Sequence, residues 1–133
     1  MDSECYASSA RIATRQLTHR YDNALRPVGI TIAQFSMVRR LARLDRATLS
    51  AWADSVRLDR STVGRNARVL ESLDLVQRST GRDRREHIFS ITDHGRRVLA
   101  DALPLWRAAQ AELEAEMGEQ RAQELRALLH SVS

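Results

Sequence analysis

Apolar residues recur at intervals of three and four along the first part of the chain. Between residues 4 and 26 they form one stripe, which predicts a single amphipathic helix. The stripe consists of Tyr6, Ala10, Ala13, Leu17, Tyr21 and Leu25. A Pro27-Val28-Gly29 break follows, so the helix is expected to end there.

A second helix is predicted to begin after Thr31 and to extend to about Leu44. Thr31 and Gln34 have the spacing of a capping box, in which each side chain bonds to the other residue's backbone N–H. The face of this helix that is predicted to be buried contains Phe35, Val38, Leu41 and Leu44.

Two further helices are predicted on either side of a tight break at residues 57–59. The first covers residues 49–56 and the second about residues 60–74, with Asp59 or Ser61 as the cap of the second. The second helix is predicted to bury Val63, Ala67, Leu70 and Leu73. Its opposite face carries side chains that bond phosphates and base edges, namely Arg60, Ser61, Thr62, Arg65 and Arg68.

Two short apolar segments then predict a β-hairpin over residues 75–80 and 86–91, with a short third strand at residues 47–49. The loop between the two segments contains three arginines, Arg82, Arg84 and Arg85, around Asp83. A cationic hairpin tip suits a DNA minor groove or backbone. Two helices followed by a hairpin predict a mainly α-helical fold with a small β-hairpin wing, the winged helix-turn-helix, whose second helix enters the DNA major groove.

The last part of the chain predicts two helices. Thr92 is expected to cap a helix that extends to about Met117, and after Gly118 a final helix extends to about Val132. Because the apolar stripes of the terminal helices are wider than the small DNA-reading part can cover, they predict packing against a second copy. We therefore expect one domain over residues 1–133, with a winged helix-turn-helix at 30–95 and a dimerisation part at 1–29 and 96–133.

Composition and charge narrow the class of function. The chain has 133 residues, 43% of them hydrophobic, and one cysteine, which excludes an intrachain disulfide framework. Absence of a long apolar run or signal segment predicts a cytoplasmic protein that does not enter a membrane. Residues 57–97 contain ten arginines and six acids, a charge of +4, whereas residues 98–133 contain three arginines and six acids, a charge of −3. This asymmetry predicts double-stranded DNA as the partner of the winged part.

Four segments, in order and at matching spacing, resemble the MarR (multiple antibiotic resistance regulator) family of winged-helix repressors. They are Tyr21-Asp22 through Gln34-Phe35, Leu58-Asp59-Arg60-Ser61-Thr62-Val63 through Leu70-Glu71, Asp83-Arg84-Arg85, and Ile91-Thr92-Asp93-His94-Gly95. The resemblance implies a triangular homodimer that represses a palindromic operator. It further implies that Arg85 reaches into the minor groove, that Asp83 holds Arg85 by an ion pair, and that a small aromatic or phenolic ligand lowers DNA affinity.

Three positions depart from the family pattern. Gly64 replaces a Thr or Ser, so one base contact is missing and helix propensity falls by roughly 1 kcal/mol, although the backbone gains closer access to DNA. Asn66 stands at an often apolar position and either packs inward, bonds locally or faces the DNA; it is included among the candidate DNA contacts. Asp74 stands where a glycine commonly ends the helix, so the turn into the wing needs another solution.

Candidate signalling residues follow from the resemblance and remain alternatives. Tyr21, Met37 and Trp52 are guesses for the effector cleft. Cys5 offers a thiol-based redox sensor, as in some family members, although their sensing cysteine falls about two residues later. If peroxide still released DNA from a Cys5→Ser variant, thiol sensing would be excluded.

Other classes of function have little support in the sequence. The four histidines lack the spacing of metal ligands with one another or with Cys5, so we expect no metal and no cofactor. No phosphate loop, nucleophile elbow or HExxH pattern is present, so an enzyme is not expected. A winged-helix adaptor that binds no DNA would need a wing and helix face without phosphate-binding groups, and these surfaces carry many.

Overall fold

The structure is a computed structural model and describes residues 4–133. In this part of the chain, helices α1 to α6 flank three short strands. Their bounds are α1 Tyr6–Leu25, α2 Ile32–Leu44, β1 Ala47–Thr48, α3 Leu49–Val56, α4 Arg60–Ser72, β2 Val76–Thr80, β3 His87–Ile91, α5 Asp93–Met117 and α6 Glu119–Ser131. A short 3₁₀ turn, Arg26–Val28, follows α1 and ends at Gly29, whose φ is 74°. The mainly helical fold with a small wing is confirmed.

Short polar side chains start four of the helices. Thr31 and Gln34 form the predicted capping box at α2, with the Thr31 hydroxyl accepting from the Gln34 N–H and the Gln34 amide oxygen accepting from the Thr31 N–H. An oxygen that accepts from the backbone N–H three residues later starts α3, α4 and α5, at Thr48, Asp59 and Thr92 respectively. These bonds satisfy N–H groups that have no partner inside the helix. Asp59, and not Ser61, is therefore the cap of α4.

The three strands form one antiparallel sheet in the order β1-β3-β2. Val76 of β2 pairs with Ile91 of β3, and Ala47 of β1 pairs with Phe89. The short third strand predicted at residues 47–49 is confirmed for its first two residues. Strand β3 lies between β1 and β2. The base of the hairpin is therefore connected on one side to α3, which follows β1, and on the other side to α4, which precedes β2.

A single apolar core joins α2, α3, α4, the sheet and α5. Its largest fully buried side chains are Trp52, Phe35, Leu25, Leu41, Leu70, Leu75 and Val63. The indole N–H of Trp52 donates to the Met37 carbonyl at 3.1 Å, and its ring centroid lies 5.5 Å from that of Phe89. This hydrogen bond satisfies the one polar atom of the buried indole and ties α3 to α2.

The turn from α4 into the wing uses residues other than a glycine. Asp74 adopts a left-handed conformation, with φ of 58°, which aspartate tolerates better than most residues. Its carbonyl accepts from the Thr92 hydroxyl at 2.5 Å. Gly95 packs so closely on this turn that an added Cβ would lie 2.1 Å from the Leu75 carbonyl oxygen. The position accepts only glycine in this geometry.

Several residues predicted to be buried are exposed. Tyr6 is 94% exposed, because only the C-terminal half of α1 packs on the core. Leu44 and Leu73 are 38% and 43% exposed. Leu44 is the last residue of α2, and Leu73 follows the end of α4, so neither stays in phase with the buried helical face. In α6, where the sequence predicts packing against a second copy, Leu128 and Leu129 are exposed in the single chain. Among residues 4–133 no helix combines the length and the apolar character that crossing a membrane requires.

Candidate nucleic-acid interface

Helix α4 has an apolar face and, on its opposite side, a polar face. Val63, Ala67 and Leu70 are buried against the core. On the opposite side the exposed residues include Arg60, Ser61, Arg65 and Arg68, whereas Thr62 and Asn66 are half-buried. The predicted polar face is therefore accessible along three turns of the helix.

The cap of α4 also organises the first turn of its polar face. Asp59 accepts from the Thr62 N–H at 2.8 Å and from the Ser61 hydroxyl at 3.4 Å. The Arg65 guanidinium donates to the Thr62 hydroxyl at 3.3 Å. Hydrogen bonds from Thr62, first from its side chain and then from its backbone, hold the pKa of the Asp59 carboxyl below its ordinary value, with smaller contributions from Ser61 and Arg65. The carboxylate therefore stays ionised and bonds to the Ser61 hydroxyl, while the side chains of Thr62 and Arg65 bond to each other.

The wing loop is shaped by backbone hydrogen bonds. The Gly81 N–H donates to the Glu86 carbonyl at 2.8 Å, and the Glu86 N–H donates to the Asp83 carbonyl at 2.9 Å. The Asp83 carboxylate accepts from the backbone N–H of Arg85 at 3.1 Å. The ion pair expected between Asp83 and the Arg85 guanidinium is not formed in residues 4–133. Asp83 fixes the loop backbone instead, and the exposed Arg85 guanidinium pairs with no carboxylate in the part of the chain that the structure describes.

Helix α4 and the wing line one continuous groove, made of two adjoining concavities. Both concavities contain Leu49, Arg60 and His87. The first adds Ser61, Gly64, Arg65, Arg68, Arg78 and Phe89, and the second adds Asp83, Arg85 and Glu86. We call this the helix–wing groove. The structure thus places Arg85 of the wing in one concavity with Arg60 of α4, and Arg60 in the adjoining concavity with Arg65 and Arg68.

Arg82 lies apart from this groove. It lines a different concavity with Arg46 and Ala51, on the side of the wing next to β1 and α3. Arg82 and Arg85 therefore line different surfaces of the wing.

Arg78 and His87 line the helix–wing groove but were not predicted from the sequence as DNA contacts. Arg78 lies on β2, donates to Glu71 of α4 at 2.7 Å, and stacks 5.6 Å from the Phe89 ring centre. His87 begins β3. Strand alternation from buried Val76 and Phe89 places both residues on the side of the sheet that faces α4, and this signal was available in the sequence.

The arginines of the interface are largely free of carboxylate partners. Within residues 4–133 the ion pairs join Arg20 to Glu116, Arg78 to Glu71 and Arg126 to Glu114, at 2.6, 2.7 and 2.9 Å. None of the arginines predicted to bind DNA belongs to these pairs. A row of exposed, unpaired guanidinium groups beside a helix has the charge and donor geometry to bind phosphate oxygens.

Comparison with known proteins identifies the family. Residues 30–87 match the model of the MarR family. A Mycobacterium tuberculosis transcriptional regulator, MosR, solved in complex with DNA, is 35% identical to this chain over 96% of each chain, with a TM-score of 0.83. The chain belongs to the MarR family of transcriptional regulators. No curated protein matches it by sequence.

More distant members share the fold. Escherichia coli MarR, solved with operator DNA, is 20% identical over 95% of this chain and 91% of its own, with a TM-score of 0.87. BpsR of Bordetella bronchiseptica, in a structure that addresses how 6-hydroxynicotinic acid regulates its DNA binding, is 19% identical over 99% and 95%, with a TM-score of 0.88. The terminal helices are therefore part of the shared MarR-family architecture, as the helix-turn-helix is.

The residues guessed for the effector cleft do not form one pocket. Met37 and Trp52 are buried in the core, 4% and 0% exposed, and bond to each other. Tyr21 lines a separate cavity of about 180 Å³ between α1, α5 and α6, and burial raises the pKa of its phenol. This cavity is smaller than the roughly 300–1,000 Å³ typical of ligand pockets.

Cys5 is a half-exposed thiol at the N-cap of α1. Hydrogen bonds from Ser8, first from its side chain and then from its backbone, lower the pKa of the thiol, and the Ala7 backbone lowers it further. The redox-sensor interpretation stays a prediction. No set of three or more His, Cys, Asp or Glu side chains in residues 4–133 is placed to hold a metal ion.

Proposed function

We propose that this MarR-family regulator binds double-stranded DNA as a homodimer, at a palindromic operator, and represses transcription there. The observation that carries the proposal is the helix–wing groove, in which Arg60, Arg65 and Arg68 of α4 and Arg85 of the wing form no ion pair with a carboxylate of residues 4–133. Counterion release on neutralising phosphates would supply most of the affinity.

At the proposed DNA interface we assign two kinds of contact. Arg60, Arg68 and Arg85 bind the sugar-phosphate backbone and the minor groove, which sets position and register. The base edges of the major groove are read by other residues of α4, namely Ser61, Thr62, Arg65 and Asn66. Arg84 adds charge at the wing tip, and Arg82 contacts the backbone from the other side of the hairpin.

The dimer is supported by apolar side chains that the single chain leaves exposed at both of its ends. Tyr6 of α1 is 94% exposed, and Leu128, Leu129 and Val132 at the C-terminus are 66%, 53% and 85% exposed. Large apolar surfaces of this kind mark interfaces. A two-fold dimer also places two recognition helices on the two half-sites of a palindrome.

The proposed signal is a small aromatic or phenolic ligand that releases the DNA. Such a ligand acts only if its affinity differs between two arrangements of the dimer. Regulation of BpsR by 6-hydroxynicotinic acid supports this class of ligand.

Replacing Arg85 with Ala tests the DNA interface. With DNA from upstream of the protein's own gene, fluorescence anisotropy at several salt concentrations should show wild-type binding that weakens steeply with salt. Arg85→Ala should bind at least about fivefold more weakly, since one lost guanidinium contact costs about 1–3 kcal/mol.

Arg121→Ala is the matched control, because Arg121 is an exposed arginine on α6, outside the groove. Sedimentation would verify that both variants keep the oligomeric state of the wild type. Unchanged affinity in Arg85→Ala would refute the assignment of the wing. If the wild type bound neither this DNA nor other palindromes, an adaptor that binds no DNA would be favoured.

A further inference from the structure

A histidine lies at the junction of the two concavities of the helix–wing groove. Both concavities contain His87 together with Leu49 and Arg60. His87 begins β3, pairs across the hairpin with Thr80, and is exposed. Within the described residues its imidazole forms no ion pair and no hydrogen bond. The ring is therefore available to a partner that binds in the groove.

The geometry of B-DNA determines which part of a duplex lies over this junction. In the proposed complex α4 enters the major groove and Arg85 of the wing enters the adjacent minor groove. One sugar-phosphate strand separates the two grooves. On the protein, Arg65 lines one concavity, Arg85 lines the other, and His87 belongs to both. The strand between the two DNA grooves therefore crosses the protein at His87.

The charged groups that face His87 are mostly positive. They are five arginines and two acids from α4, β2 and the wing loop, namely Arg60, Arg65, Arg68, Arg78, Arg85, Asp83 and Glu86. From α3, uncharged side chains at positions 48–50 line the groove. Arginines and carboxylic acids ordinarily keep one charge state between about pH 6 and about pH 8, whereas histidine changes its charge there. His87 is therefore the residue that makes the charge of this groove depend on pH.

We propose that His87 binds the crossing sugar-phosphate strand as an imidazolium, so that each chain takes up a proton from solvent when it binds DNA. A phosphate beside an imidazole favours the charged form of the ring, and the charged form donates the stronger hydrogen bond. Because protonation and DNA binding favour each other, affinity rises as the pH falls through the range in which histidine titrates.

This contact adds affinity without adding sequence preference, because phosphate oxygens are the same at every base pair. The position of the strand over His87 rests on the proposed function, namely on α4 in the major groove and Arg85 in the minor groove. The base sequence of the operator does not enter the inference.

DNA binding at two pH values tests the inference. Fluorescence anisotropy with DNA from upstream of the protein's own gene, at constant salt, should show wild-type affinity that rises from about pH 8 to about pH 6. His87→Gln stays polar but cannot become charged, so its affinity should change at least about fivefold less over the same range. His94→Gln, at an exposed histidine near the start of α5 and outside the groove, should keep the pH dependence of the wild type.

His87→Lys distinguishes a charge contact from a structural role. Lysine stays positive over the whole range, so this variant should bind more tightly than the wild type at about pH 8 and should depend on pH as little as His87→Gln. One additional phosphate contact steepens the slope of log affinity against log salt by about one. The wild-type slope should therefore be steeper at about pH 6 than at about pH 8, whereas His87→Lys should keep the steeper slope at both.

Three outcomes would overturn the inference. The first is an equal pH dependence of the wild type and His87→Gln. The second is a loss of affinity in His87→Gln by the same factor at both pH values, which would show a contact with the neutral ring. The third is no gain of affinity by His87→Lys at about pH 8. Circular dichroism at both pH values shows which variants are folded, and if one substitution at this exposed position is not, the other decides.

A duplex of unrelated sequence separates this inference from the proposed function. If the wild type bound that duplex as tightly as any palindrome, the palindromic operator would be wrong, and the His87 variants on the same duplex would still decide the inference. Operator binding without the expected dependence on His87 would remove only the inference. Failure of the wild type to bind any duplex at either pH would remove both.

Discussion

The winged part of the molecule and the terminal helices differ in how much of their apolar surface is buried within the single chain. Most buried side chains lie between Ile30 and Ile91, around Trp52 and Phe35, whereas the terminal helices add only Leu25, Ala102 and Ala109. The most exposed large apolar side chains, Tyr6, Leu128, Leu129 and Val132, all belong to the terminal parts. The winged part is therefore complete within one chain, and the terminal helices have apolar surface left for a partner.

The two parts also differ in the ion pairs that their arginines form. Arg20 pairs with Glu116 and Arg126 with Glu114, so two arginines of the terminal helices are neutralised within the chain. On α4 and the wing, Arg78 pairs with Glu71, but Arg60, Arg68 and Arg85 have no such partner among the described residues. Carboxylates close to these arginines would compete with DNA phosphates, so the absence of pairing is consistent with an anionic partner.

Of the changes that distinguish the two parts, Trp52→Ala is expected to have the largest effect, which is a loss of stability. Trp52→Ala removes a fully buried indole and leaves the Met37 carbonyl without its hydrogen bond. A cost of about 3–5 kcal/mol is expected for such a change, a large share of the total for a domain of this size. Urea denaturation followed by circular dichroism would measure the loss.

Leu128→Ala is the counterpart in the terminal helices. Leu128 is 66% exposed in the single chain, so truncation should cost little in the monomer but should weaken the proposed dimer. Sedimentation over a range of concentrations would show this weakening as a rise in the monomer fraction. A folded, stable Trp52→Ala variant would contradict the view that the winged part depends on this core.

Gly95→Ala is expected to have the next largest effect. The new Cβ would meet the Leu75 carbonyl oxygen at 2.1 Å and the Ile91 side chain at 2.8 Å. That carbonyl also accepts from the Thr92 N–H at 3.1 Å, so the helix cannot move without straining the junction of α4, β3 and α5. We expect a loss of about 1–3 kcal/mol, the usual range for overpacking. Thermal unfolding no lower than that of the wild type would refute this close packing.

The sequence predicted the parts of the fold that depend on neighbouring residues. Thr31, Asp59 and Thr92 act locally on the first turn of a helix, and α2, α3 and α5 begin and end where predicted. The polar cap residue Asp59 likewise indicated the start of α4. The helix ends at Ser72, two residues earlier than expected.

Features that depend on contacts between distant residues were missed. The pattern could not show that Trp52 bonds to Met37, and so both were assigned to a ligand cleft. Tyr6 fits a helical stripe but lies beyond the elements that α1 packs against. The stacking of Arg39 on Trp106 joins residues 67 positions apart, and no local periodicity encodes it.

The smallest expected change is Gly64→Ala, which is also the control for Gly95→Ala because the chemical change is the same. Gly64 lies within α4, and an added Cβ would meet only the Leu49 side chain, at an ordinary contact distance of 3.7 Å. The variant should therefore be more stable by about 0.5–1 kcal/mol, since alanine loses less backbone freedom in a helix than glycine.

Operator affinity should move in the opposite direction, because Gly64 lines the helix–wing groove and a methyl group there would hold the backbone of α4 away from the DNA. Anisotropy and thermal unfolding on the same samples would show a higher unfolding temperature together with weaker binding. A variant that gained stability and bound the operator as tightly as the wild type would show that the glycine is not needed for close approach. The contrast between the winged part and the terminal helices would then remain valid for the packing of the winged part, but not for the fit of its recognition helix to DNA.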